Sequence, residues 1–64
     1  MRVPAYVLEA LEHVRERRAA DMDDRETVIM FTFTYGFDEA CEWLVTHRHA
    51  YPRALQMLRA TVYE

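Results

Sequence analysis

A chain of 64 residues with a formal net charge of −3 and a hydrophobic fraction of 52% has the composition of one small folded domain, 1–64, and not of a disordered segment. The negative charge gives no reason to expect a polyanion as partner. No apolar run approaches the roughly 18 residues of a membrane-spanning helix, and no apolar stretch follows Arg2, so neither membrane nor secretory signal is expected and the cytoplasm is the expected compartment. Cys41 is the lone cysteine, which excludes an internal disulfide, and no Cys/His pair has structural-zinc spacing. A domain this small without either staple is expected to gain stability by self-association, as a homodimer.

The chain divides into four helical segments. The first is expected over about 4–19, with Pro4 in the first turn, where its missing N–H costs nothing. Val7, Leu8, Leu11 and Val14 form its apolar stripe, and Arg15, Arg17 and Arg18 gather at its C-terminal end, where they suit the helix dipole. An acidic break follows at Asp21, Asp23 and Asp24. Asp23 and Glu26 have capping-box spacing, and a second helix is expected over about 24–35.

This second segment reads both ways. Residues 27–35 are TVIMFTFTY, rich in β-branched and aromatic residues and alternating like a strand from Phe31 to Tyr35. Val28, Phe31 and Tyr35 also fit a helical stripe. A lone strand would leave its backbone groups unpaired, and the chain offers no second strand candidate, so helix is the preferred reading. Gly36, the single glycine, ends this helix, and Asp38 is placed to cap the third. The third is expected over about 38–48, burying Phe37, Ala40, Cys41, Leu44 and Val45 with Trp43 beside them. Pro52 opens the fourth, over about 52–62, with Tyr51, Leu55, Leu58 and Val62 as its stripe. The expected fold is all-α, a small bundle of three to four helices.

The motif Val3-Pro4 with Val7, Arg15, Asp21-Met22, Asp24-Arg25, Val28, Gly36-Phe37, Glu39, Trp43-Leu44, His47, Tyr51 and Arg53 resembles a small family of bacteriophage and prophage proteins of unknown function. The resemblance covers nearly the whole chain and departs from the family pattern at TVIMFTFTY, where the family reads as ordinary helix. It implies a phage-encoded, intracellular, helical accessory protein and supplies no activity, cofactor or catalytic residue.

Candidate chemistry is sparse. His47 and His49, with Cys41 or Glu42, could be read as a metal site, but residues two apart on a helix do not face each other. Cys41 lies on the apolar side of its helix, where a free thiol is a small hydrophobe. The row Glu9, Glu12, Glu16 has no partner nucleophile or base, so neither an enzyme nor a cofactor is expected. Arg15, Arg17, Arg18 and Arg25 are the candidate phosphate contacts. A helix-turn-helix reading of the second and third helices would set Asp38 and Glu39 against the phosphate backbone, and a ribbon-helix-helix reading needs a strand at 27–35 carrying base-reading side chains, which it lacks. Nucleic acid is therefore not the expected partner. Tyr6, Trp43, Tyr51 and Tyr63, with Met22 and Met57, are more large apolar groups than so small a core needs and are the candidate interface groups; the alternative reading is that Trp43 and Tyr51 complete the monomer core. The leading expectation is a non-enzymatic protein acting through protein–protein interaction, on itself and on a host or phage protein. A DNA-binding regulator and a nucleotide-ligand binder with arginines at a subunit boundary are the alternatives.

Overall fold

The computed structural model describes the backbone of residues 2–62 and the side chains of residues 2–60. Within them the chain forms four α-helices and no strand: α1 (Ala5–Glu16), α2 (Arg25–Thr34), α3 (Asp38–Thr46) and α4 (Tyr51–Val62), with a 3-10 turn at Arg48–Ala50 between the last two. The fold is a small all-α bundle. Helix α1 is its axis, touching the α2–α3 pair on one side and α4 on the other.

The core follows from the stripes. Val7, Ala10, Leu11 and Val14 are fully buried on α1 and meet Val28 of α2, Ala40 and Leu44 of α3, and Ala54, Leu55 and Leu58 of α4. Leu8, placed in the α1 stripe by spacing, is half-buried at its edge. On α2 the buried line is Val28–Thr32, with Phe31 and Tyr35 on its flank. Thr32 is fully buried and donates its hydroxyl to the Ile29 carbonyl at 2.6 Å, so its polar atom is satisfied inside its own helix. The helical reading of residues 27–34 holds, and it removes the strand on which the ribbon-helix-helix alternative depended.

Pro4, expected inside the first turn, is the extended N-cap before α1, and Tyr51, not Pro52, opens α4; the other helix ends that differ from expectation do so for local reasons. Helix α1 stops at Glu16, short of Ala19. Arg18 turns left-handed (φ 52°), its N–H bonding to the Arg15 carbonyl at 3.0 Å and the Ala19 N–H to the Val14 carbonyl at 3.3 Å. This is a Schellman end with arginine in the position glycine usually fills. The cap of α2 is Asp24, not Asp23: its carboxylate accepts from the Thr27 N–H at 3.4 Å and from the Thr27 hydroxyl at 2.7 Å, while Asp21 turns back to hold the Asp23 N–H at 2.9 Å.

Helix α2 also ends in a Schellman pair, Gly36 N–H to Phe33 carbonyl (3.0 Å) and Phe37 N–H to Thr32 carbonyl (2.8 Å), with Gly36 at φ 89°. The pair carries Phe37 into the N-cap position of α3, so Asp38 becomes the first helical residue and acts with Glu39 on the helix dipole, not as a cap. Helix α3 ends at Thr46, before Arg48: the Thr46 hydroxyl bonds back to the Glu42 and Trp43 carbonyls, at 3.0 and 3.2 Å, and His47 leaves the helical region to stack on Trp43 (centroids 4.3 Å apart, 12° between planes).

Candidate interaction surface

The four candidate interface residues separate. Tyr51 is a core residue, 5% exposed, and its hydroxyl donates to the Met22 carbonyl at 2.6 Å across 29 positions of chain. This bond ties the start of α4 to the loop before α2. Burial, helped by the carboxylates of Asp23 and Asp24, pushes the Tyr51 phenol from 10.0 up to about 12. Tyr6 (42% exposed) and the half-buried Trp43 do come together, lining one cleft of about 380 Å³ with Glu39, Glu42 and Thr46. Tyr63 and the side chain of Val62 lie outside the described residues. Met22 and Met57 are half-buried and packed against the core.

The candidate phosphate contacts also disperse. Arg17 donates from Nε to His13 Nε2 at 2.6 Å and lies 5.5 Å over the Tyr35 ring. His13 in turn sits edge-on to Tyr35 and Phe37, with centroids 5.0 and 5.2 Å away. Arg17 therefore belongs to an aromatic seam joining α1 to the α2–α3 turn. Arg18 is exposed at the left-handed helix end and Arg15 is half-buried. Arg25 reaches Glu26 loosely (3.9 Å), and its buried Nε has no hydrogen-bond partner among the described residues.

What spacing alone missed is the outer side of α2 and α3. Val45, expected inside, is 51% exposed, and Met30 and Phe33 are 53% and 65% exposed. Both helices turn buried residues toward α1, and α4 packs on α1 and the 3-10 turn. Phe33 lies one turn after Ile29 on α2. Ile29 and Val45 share an open cleft of about 260 Å³ whose remaining walls are Arg25, Glu26 and Arg48. Arg25 and Arg48 are thus brought together although they stand on different elements. A heteroaromatic or cationic signal in sequence could not have announced this, because the cleft exists only once α2 and α3 pair.

Among the described residues, no three His, Cys, Asp or Glu side chains gather as they would around a metal ion, and His47 is engaged with Trp43 through its ring. No helix among them is long and apolar enough to cross a membrane. The described residues form a small all-helical bundle that leaves Tyr6, Met30, Phe33 and Val45 exposed. Comparison of the chain with protein-family models, with curated proteins and with solved structures returned no match.

Proposed function

We propose that this chain is a non-enzymatic interaction protein that pairs with a second copy of itself through the outer face of α2 and α3. The observation that carries the reading is the exposure of Met30, Phe33 and Val45 on that side. Large apolar side chains left exposed are what protein interfaces use. The size of the chain adds support. An interface of standard size takes about 800 Å² from each partner, under a fifth of this chain's 4429 Å² surface, and a domain with so small a core gains from the added burial.

The resemblance to phage proteins supports an accessory role in the cytoplasm of the host cell, with a host or phage protein as the eventual target of the dimer. The DNA-binding alternative has less behind it: Arg17 is engaged within the protein, and α3 opens with Asp38 and Glu39. Sedimentation velocity over a concentration series tests the reading. Dimeric wild type with a monomeric Phe33→Glu variant supports it, and a wild type that stays monomeric throughout overturns it.

A further inference from the structure

We infer that Met30 is a modification site: hydrogen peroxide adds one oxygen to its thioether in the folded protein, ahead of Met22 and Met57, and leaves the bundle intact. The three described methionines differ in their surroundings. Met30 is 53% exposed on α2. Met22, in the loop before α2, and Met57, on α4, are half-buried and packed against the core. A thioether reacts only where the oxidant reaches its sulfur. The fold therefore imposes an order on three side chains that are chemically alike in the unfolded chain.

In the reaction a sulfur lone pair attacks one peroxide oxygen and the O–O bond breaks. The attacked oxygen gives up its proton, and the other leaves with it as water. The sulfur is oxidised by the electron pair that the peroxide gains. A dithiol reductant reverses the step: the sulfoxide oxygen departs as water and the two thiols become a disulfide. The product exchanges a flexible apolar side chain for a polar, chiral one. At Met22 or Met57 that change sets a sulfoxide against the core. At Met30 it falls on the exposed side of α2, next to Phe33 on the helix surface, where no core residue has to move. The main-chain carbonyl of Met30, which accepts the Thr34 hydroxyl at 3.0 Å, takes no part in it. One reversible oxidation thus makes this side of α2 more polar while the fold stands, and it weakens an apolar contact made there.

Timed exposure of the native protein to dilute hydrogen peroxide, followed by peptide mass spectrometry, tests this. Cleavage after arginine places Met22, Met30 and Met57 in separate peptides, and fragment spectra separate oxidation of Met30 from that of Cys41 in the peptide they share. In the folded chain Met30 is expected to gain its oxygen severalfold faster than Met22 and Met57. In strong urea the three should react at similar rates. Protein oxidised once should keep its far-UV circular dichroism. The Met30→Leu variant should lose the early oxidation and keep the two slow ones. Met22 or Met57 keeping pace with Met30 in the folded chain overturns the assignment, as does a lead that survives in urea or a loss of helix on the first oxygen.

Discussion

Replacing Gly36 by alanine tests how the α2–α3 turn is built. Gly36 sits at φ 89°, and a Cβ added there meets no heavy atom within 4 Å. Any cost is therefore conformational, with no clash to relieve. An L-residue forced into this region loses about 1 kcal/mol, and the lower unfolded-state entropy of alanine offsets only part of a larger strain. In a domain of this size a loss of about 1 kcal/mol lowers Tm by roughly 4–8 °C. Arg18 provides the opposite experiment in the same molecule. It occupies the equivalent position at the end of α1, with φ 52° and the same pair of hydrogen bonds, but it carries a side chain. Arg18→Gly should raise stability by about 0.5–1 kcal/mol. Thermal and urea unfolding followed at 222 nm reads both. Opposite signs of similar size are expected. An unchanged or raised Tm for Gly36→Ala, or a fall for Arg18→Gly, would refute the assignment of both helix ends.

Asp24→Ala should cost about 1 kcal/mol through loss of the α2 cap, whereas Asp23→Ala should cost clearly less; urea midpoints of the two variants decide it, and equal losses would contradict the cap assignment. Tyr51→Phe should cost about 1 kcal/mol near neutrality, the worth of the bond to the Met22 carbonyl. It should also change the alkaline limb of the stability curve. The folded phenol is held up at about 12 against 10.0 unfolded, so between those values unfolding releases a proton that the folded chain keeps. That contribution is complete below pH 10 and is lost as pH rises to 12, amounting to about 3 kcal/mol at most. Urea midpoints measured across this range should fall more steeply for wild type than for Tyr51→Phe, and parallel curves would contradict the burial of this hydroxyl.

The helices themselves were legible because apolar spacing, Pro4, Gly36 and Pro52 each mark a boundary by a mechanism that acts locally. Residues 27–34 were legible as helix from the acidic start, the stripe of Val28, Phe31 and Tyr35 and the lack of a partner strand, against a β-branched and aromatic content that argued for a strand. The end of α1 was not legible: an arginine gives no sign that it will turn left-handed, and Arg18 does so because Ala19 is drawn toward the core. Tyr51 was legible as part of the α4 stripe, but not its hydroxyl bond, because the acceptor, the Met22 carbonyl, is set by tertiary packing and leaves no trace in local pattern. Val45 failed for a related reason. Helical spacing identifies an apolar side chain, but whether another element covers it depends on where α4 goes, and α4 packs on α1. The pairing of Arg25 with Arg48 around one cleft was equally out of reach of spacing.

The most direct measurement is an isotope-filtered NOE experiment on a mixture of labelled and unlabelled chain at a concentration where it associates. Pairing through the exposed side of α2 and α3 predicts intermolecular contacts among the side chains of Met30, Phe33 and Val45. Intermolecular contacts confined to Tyr6 and Trp43, or none at all, would contradict it.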